Sequence, residues 1–112
     1  MSIVEHAKAD RNEVDQLYYV YMLRCADGTI YTGMTNDVSH RMAVHNAGKG
    51  AKYTRSRLPV SLLFSQACCS RSDALIKEAA IKKMTRKQKE DLVQAERLEI
   101  VRSQITKQAP QV

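Results

Sequence analysis

Residues 17–46 concentrate side chains that can handle protons and anions. Four of the chain's five tyrosines lie in this stretch, which also carries Arg41 and His45. The guanidinium of an arginine is always charged and pairs with phosphate through a bidentate fork. A tyrosine can orient or deprotonate a water molecule, but its ordinary pKa of about 10 makes it a poor base unless a cation lies nearby. These residue types therefore suit chemistry on a phosphate ester.

A carboxylate later in the chain adds a metal ligand to this set. Glu78 can hold a divalent ion, because Mg²⁺ commonly takes only one or two carboxylates while water fills the rest of its octahedron. Hydrolysis of a phosphodiester needs an activated water, neutralisation of charge on the phosphoryl oxygens and stabilisation of the leaving oxygen. Arg41 suits the second task, and Glu78 with its ion suits the third.

The tyrosines are placed by a predicted β-hairpin. Residues 17–25 alternate two sets of side chains and are rich in aromatic and β-branched residues, which predicts a strand. Asp-Gly at 27 and 28 favours a tight turn. If residues 26–28 form a three-residue loop, position 21 faces position 33, and Tyr21 and Tyr31 share one face of the sheet. A two-residue loop would place these tyrosines on opposite faces.

A helix is predicted directly after the hairpin. Thr35 or Asn36 can cap it, with Asp37 in its first turn, and Gly48 ends it. Four residues then share one stripe of this helix: Val38, Arg41, Met42 and His45. For His45 taken alone, a hydrogen-bonded residue at a helix C-terminus is the preferred interpretation. For the tyrosines taken without the other residues, an aromatic hairpin in the core is preferred.

The middle of the chain is strongly basic. The protein has a net charge of +6 and a pI near 9.4, and no acidic residue lies between Asp37 and Asp73. Residues 48–57 are predicted to be a flexible basic loop that binds phosphates, although a solvated loop that only aids solubility is the alternative. The predicted nucleic-acid-binding residues are Lys49, Lys52, Tyr53, Arg55 and Arg57, with Lys83 from a second basic cluster.

The second half of the chain is predicted to be one strand and two helices. Residues 59–66 form the strand, and Ser70 or Ser72 caps a helix that ends at about Met84. Glu78 lies on the packed side of that helix, with an ion pair to Lys82 at the helix margin as the alternative. A capping box at residues 85–88 begins the last helix.

Length and cysteine content bound the overall organisation. One compact domain is expected of 112 residues, and three cysteines form no even disulfide framework and no zinc spacing, which favours a reducing compartment. We predict a flexible leader over 1–16, a domain over 17–95, and a helix end with a tail over 96–112. The start lacks a signal peptide and no run has transmembrane length, so a cytoplasmic, soluble protein without membrane association is predicted.

The order and spacing of these motifs resemble the GIY-YIG nuclease superfamily. The resemblance rests on Tyr19-Val20-Tyr21, on Tyr31-Thr32-Gly33 ten residues later, and on Arg41 with His45 in a following helix. It continues through the basic segment to Glu78 and covers roughly residues 17–95. The likeness is greatest to small stand-alone bacterial members. Tyr19 replaces the first glycine of the family name, and Thr32 and Met34 also depart from common family residues.

The resemblance implies a fold and a set of roles. The fold is a small α/β domain with a three-stranded, mainly antiparallel sheet flanked by helices. The implied catalytic residues are Tyr21, Tyr31, Arg41, His45 and Glu78, with Glu78 binding Mg²⁺ or Mn²⁺ and Gly33 letting the chain turn toward the helix. The implied activity is metal-dependent endonuclease cleavage of DNA in repair, recombination or processing.

Substrate and class remain open at this point. Single-stranded or branched DNA is favoured because the chain carries no added DNA-reading domain, and the sequence does not separate DNA from RNA or fix the oligomeric state. One alternative is a nucleic-acid-binding module without catalysis that uses residues 48–57. Another is a small interaction protein whose basic face meets an acidic protein. Such a protein would show no salt-linked affinity for nucleic acid.

Overall fold

The structure, a computed structural model, describes residues 17–108, with side chains up to residue 105. The predicted leader over 1–16 and the last four residues of the predicted tail lie outside this range. The chain divides into two units, Met1–Lys82 and Lys83–Val112. The division into leader, domain and tail stays a prediction.

The described residues of the first unit, 17–82, form a three-stranded sheet and three helices. In chain order these are β1 (Tyr18–Arg24), β2 (Ile30–Thr35), α1 (Val38–Asn46), the short α2 (Lys52–Arg55), β3 (Ser61–Cys68) and α3 (Arg71–Lys82). The strand order is β2-β1-β3 and both pairings are antiparallel. The predicted fold, a three-stranded antiparallel sheet with helices, is therefore confirmed.

The hairpin has the register that a three-residue loop predicts. Tyr21 pairs with Gly33, and Leu23 pairs with Tyr31. The loop is closed by the amide of Cys25, which donates to the carbonyl of Thr29 at 2.9 Å. Because side chains alternate along each strand, the Tyr21 and Tyr31 side chains lie on the same face of the sheet.

The core is built around β1, the central strand. Four consecutive side chains, at positions 20 to 23, are almost completely buried, so both faces of this strand are covered. On one face Tyr21 and Leu23 form a cluster with Cys25 and Val60, against which Met42 of α1 packs. Helix α3 contacts all three strands. Each fully buried large apolar side chain contributes about 1.5–3 kcal/mol, so this strand is a rigid base for the residues that project from it.

The predicted cap of α1 was wrong. Asp37 is the N-cap, since its carboxylate accepts a hydrogen bond from the amide of His40 at 3.0 Å. Thr35 instead accepts from the amide of Asp37, at 3.0 Å. Asp37 has the extended backbone, at φ −151°, that the cap position requires, and this decides among three adjacent polar residues. Gly48 follows the end of α1 with φ +77°, as predicted.

The basic segment 48–57 was predicted as a flexible loop, and that prediction was also wrong. It contains the four-residue helix α2, whose amides at 54 and 55 both donate to the Ala51 carbonyl. The predicted cap of α3 at Ser70 is confirmed, because its hydroxyl accepts from the amide of Asp73 at 3.1 Å. The third strand begins at Ser61, two residues later than predicted.

The second unit contains one long helix, α4 (Arg86–Gln108). Its predicted capping box is present. The backbone amide of Gln88 donates to the Thr85 hydroxyl at 3.2 Å, and the backbone amide of Thr85 donates to Oε1 of the Gln88 side chain at 2.9 Å. The helix continues through most of the stretch that was predicted as a tail. Of the helices within residues 17–108, none is both long and apolar enough to cross a membrane.

Candidate active site

The structure brings three of the five predicted catalytic residues into contact. Tyr21 projects from β1, Tyr31 from β2 and His45 from α1. Their ring centroids lie 5.5–6.4 Å apart, and both tyrosines meet the imidazole with tilted edges. The hairpin register and the stripe of α1 together produce this cluster, and the two tyrosines share the face that the three-residue loop predicts.

A buried hydrogen bond joins Tyr21 to His45. The phenolic oxygen lies 2.9 Å from Nε2 of the imidazole. The two residues are 2% and 0% exposed, so bulk solvent has little access to this pair. A hydrogen bond in such a dry position holds both side chains in one orientation.

The other imidazole nitrogen has a partner that the sequence did not reveal. Nδ1 of His45 lies 2.8 Å from the hydroxyl oxygen of Thr54, which is fully buried in α2. That hydroxyl also donates to the carbonyl of Ala51 at 3.0 Å. The only sequence signal for this contact is general: a histidine on the inner stripe of α1 needs a polar partner, and Thr54 is a nearby hydroxyl.

Burial and Arg41 set the electrostatics of this pair. Burial raises the pKa of Tyr21 above its ordinary value, and the negative charges of Tyr31 and Glu78 raise it further. A hydrogen bond and the positive charge from Arg41 oppose this rise. For His45, burial and the charge of Arg41 both lower the pKa. His45 is therefore held neutral near pH 7, which leaves it able to accept a proton. Arg41 and Glu78 are thus close enough to Tyr21 to act on it.

Two glycines make room for the pair. A Cβ at Gly33 would lie 2.6 Å from the Tyr21 hydroxyl and 3.1 Å from the Tyr31 ring. A Cβ at Gly50 would overlap Nδ1 of His45. The resemblance assigned Gly33 to a turn of the chain. In the structure it lies inside β2, directly opposite Tyr21, and it supplies space for the phenol.

Two of the predicted nucleic-acid-binding residues, Tyr53 and Arg57, connect the basic segment to the hairpin. Tyr53 stacks on Tyr31 with centroids 6.0 Å apart, and the guanidinium carbon of Arg57 lies 3.9 Å above the Tyr53 ring. Arg57 also forms an ion pair with Asp27 in the hairpin loop, at 2.9 Å. These contacts attach the end of the basic segment to the hairpin.

The remaining predicted phosphate-binding cations are more exposed. Lys49 and Lys52 are exposed at the surface, and Arg55 is exposed while its Nε donates to the carbonyl of Gly50 at 3.2 Å. Lys83 belongs to the second unit. The assignment of these four residues to nucleic-acid binding stays a prediction.

Glu78 satisfies both interpretations of its position. Its side chain is 17% exposed, on the packed side of α3, and its carboxylate lies 3.4 Å from Nζ of Lys82. Within residues 17–108 no group of three or more His, Cys, Asp or Glu side chains could hold a metal ion. A single carboxylate still fits Mg²⁺ or Mn²⁺, because such ions are often held by one carboxylate, several waters and the phosphates of a substrate.

Comparison with known proteins identifies the family of this domain. The profile of the GIY-YIG catalytic domain matches residues 17–91, a range that includes all five predicted catalytic residues. A UPF0213 protein of Lacticaseibacillus paracasei is 52% identical over 82 residues, or 73% of this chain and 92% of that protein. A UPF0213 protein of Streptococcus pneumoniae is 48% identical over 80 residues, or 71% and 81% of the two chains.

A solved structure agrees with these matches. The solution NMR structure of a protein from E. faecalis has a TM-score of 0.53 and 43% identity, covering 73% of this chain and 88% of that chain. Because the matched region makes up most of each relative, the relatives are small proteins with little beyond this domain. The protein thus belongs to the GIY-YIG catalytic domain family, a family of nucleases.

Proposed function

We propose that the protein is a metal-dependent endonuclease that hydrolyses phosphodiester bonds in DNA. The observation that carries this proposal is the buried hydrogen bond between Tyr21 and His45, at 2.9 Å, beside Arg41. A raised pKa alone would make Tyr21 a poor base. The neutral imidazole removes this difficulty because it offers the phenolic proton a destination.

The proposed proton path has two transfers. As a water molecule attacks phosphorus, its proton passes to the phenolic oxygen of Tyr21. The phenolic proton passes at the same time to Nε2 of His45, which becomes an imidazolium. A free phenolate is never required, so the high pKa of Tyr21 does not block the reaction. Tyr31, whose ring centroid lies 6.4 Å from that of Tyr21, would orient the water or the scissile phosphate.

Two other side chains handle charge on the phosphate. Arg41 would pair with the nonbridging oxygens through its guanidinium fork, which offsets the negative charge that builds there. Glu78 would hold a divalent ion, and such an ion stabilises developing charge on phosphate and leaving-group oxygens. Binding of that ion requires Glu78 to leave or share its contact with Lys82.

We infer that the substrate is single-stranded or branched DNA. The exposed cations of residues 48–57 can follow a phosphate backbone, and a domain this small has little surface for reading base edges in duplex DNA. The three cysteines, all free thiols, suit a reducing cytoplasm. Roles in repair, recombination or processing follow from such substrates.

The test is cleavage of end-labelled single-stranded, duplex and branched DNA, and of matching RNA, in Mg²⁺, Mn²⁺ or EDTA. Glu78→Gln removes the metal ligand and should lower the rate about a hundredfold or more, since several kcal/mol of stabilisation is lost. The matched control is Glu90→Gln, which removes a carboxylate from a similar i,i+4 ion pair with Arg86.

Each outcome of this experiment is informative. Cleavage that needs metal, is lost with Glu78→Gln and survives Glu90→Gln supports the proposal. Cleavage that continues in EDTA, or that Glu78→Gln leaves unchanged, refutes the assigned site. Salt-sensitive binding of DNA without cleavage of any substrate would favour the nucleic-acid-binding module, for which the basic segment 48–57 is the specific support.

A further inference from the structure

Thr54 lies behind the proposed proton path, and the resemblance to other nucleases assigns it no role. We propose that Thr54 is a positioning residue that fixes His45 in its Nδ1–H tautomer, so that Nε2 is the nitrogen that accepts the Tyr21 proton. This inference rests on the proposed function for its catalytic consequence. The tautomer itself is a property of the folded protein and can be measured without activity.

The Thr54 hydroxyl can donate only one hydrogen bond. A threonine hydroxyl has one proton to donate and two lone pairs that accept. That proton is committed to the carbonyl of Ala51, which lies 3.0 Å away and can only accept. With that proton on Ala51, the contact between the Thr54 oxygen and Nδ1 of His45, at 2.8 Å, has the imidazole as donor. Nδ1 carries a hydrogen.

In the neutral His45 ring only one nitrogen carries a hydrogen. A neutral imidazole carries one N–H, so with the hydrogen on Nδ1 the other nitrogen is a bare acceptor. The only direction left for the contact at 2.9 Å is donation from the Tyr21 hydroxyl to Nε2. The chain of hydrogen bonds thus runs in one direction, from Tyr21 to His45 to Thr54 to Ala51.

The other tautomer would reverse the chain and block the path. With hydrogen on Nε2, His45 would donate to the phenolic oxygen, and Tyr21 would have no acceptor for its proton at that ring. The Thr54 hydroxyl would have to turn from the Ala51 carbonyl to Nδ1. In the productive tautomer, the imidazolium formed by proton transfer keeps its Nδ1–H on Thr54 while Nε2 holds the new proton.

Packing prevents this series of hydrogen bonds from rearranging. Thr54 and His45 are completely buried and Tyr21 is 2% exposed, so no solvent can replace a lost partner. The helical turn α2 holds Thr54 in place, since the backbone amide of Thr54 also donates to the Ala51 carbonyl at 3.1 Å. Gly50 packs so closely on the imidazole that even a Cβ there would overlap the ring. The basic segment therefore has an internal role in orienting His45.

The direct test is a long-range ¹H–¹⁵N NMR spectrum of the histidines in the wild-type protein at a pH above 7. We expect a pyrrole-like shift for Nδ1 of His45 and a pyridine-like shift for Nε2. A hydrogen on Nε2 instead would overturn the proposal. This measurement needs no variant and no substrate, so it remains decisive if the proposed nuclease activity is not found.

Variants then separate positioning from mere packing. Thr54→Val keeps the shape but removes the acceptor, and it should shift His45 toward the Nε2–H tautomer and lower the cleavage rate about ten- to a hundredfold, as loss of an orienting partner typically does. Thr54→Ser restores the hydroxyl and should recover both the spectrum and the rate to within about threefold. Thr32→Val is the matched control, because Thr32 lies in β2 and faces the opposite side of the sheet.

The outcomes are distinguishable. A wild-type tautomer in Thr54→Val, whether the rate falls or not, would show that Thr54 does not set it and would overturn the proposal. Loss of the tautomer that Thr54→Ser reverses supports it, even if no substrate is cleaved. If Thr54→Val does not fold, Thr54→Ala, which also removes the hydroxyl, takes its place in the same comparison with Thr54→Ser.

Discussion

A methyl group added at Gly33 would enter space that the Tyr21 phenol occupies. The added carbon would lie 2.6 Å from the hydroxyl oxygen, and ordinary contact begins at 3.4 Å, so the hydroxyl would have to retreat by about 0.8 Å. Its hydrogen bond to Nε2 is only 2.9 Å long, and both residues are buried. The phenol cannot move that far without breaking or badly bending this bond.

Gly33→Ala should therefore cost both stability and activity. Overpacking of a buried site costs about 1–3 kcal/mol, and lost general acid–base catalysis lowers a rate by about 10²- to 10⁴-fold. Urea unfolding measures the first effect and cleavage of labelled DNA under saturating metal measures the second. The NMR signals of the His45 ring should shift as well.

Gly28→Ala is the matched control for this prediction. Gly28 has φ +87°, a backbone conformation that L side chains rarely adopt, but no atom lies within 4 Å of an added Cβ. It should lose a similar free energy of unfolding, about 1–2 kcal/mol, through strain in the hairpin loop, and keep its cleavage rate. A Gly33→Ala protein that retains wild-type cleavage would refute the reasoning about the phenol.

Two further predictions concern stability. Thr32 carries a buried hydroxyl without a hydrogen-bond partner in the described part of the chain, so Thr32→Val should raise the free energy of unfolding by about 1 kcal/mol, and a lower value in urea unfolding would contradict this. Because the fold lowers the His45 pKa from 6.5, the unfolded chain binds a proton that the folded chain does not. The contribution of His45 to stability should be complete above about pH 6.5 and lost as the pH falls through that value toward the folded pKa. Urea unfolding from pH 5 to 8 should show this slope in the wild type and not in His45→Asn.

The sequence predicted much of the fold that depends on local rules. It left the loop at residues 26–28 open between two and three residues, and the structure has the three-residue loop, whose register brings Tyr21 beside Tyr31. The stripe of α1 then places His45 against them. These inferences need only alternation along a strand and helical periodicity, both of which a sequence displays.

Other features of the fold and the site can be assigned only from the folded backbone. Three consecutive polar residues precede α1, and only the extended dihedral of Asp37 decides which one is the cap. Helix α2 has no apolar periodicity of its own, and its ring and ion-pair contacts through Tyr53 and Arg57 become visible only in three dimensions. The contact between Thr54 and His45 likewise joins side chains whose relative position depends on the path of the chain between two helices.

The close packing of the basic segment limits how its length can vary. Surface connections between helices usually tolerate inserted residues. Here Gly50 lies against the His45 ring and Thr54 contacts the same ring from the next turn, while Arg57 is joined to the hairpin loop. A single residue inserted between 50 and 54 would move the hydroxyl away from Nδ1. Insertions and deletions in this segment should therefore abolish the proposed cleavage activity without unfolding the sheet. Fusions or affinity tags belong elsewhere in the chain.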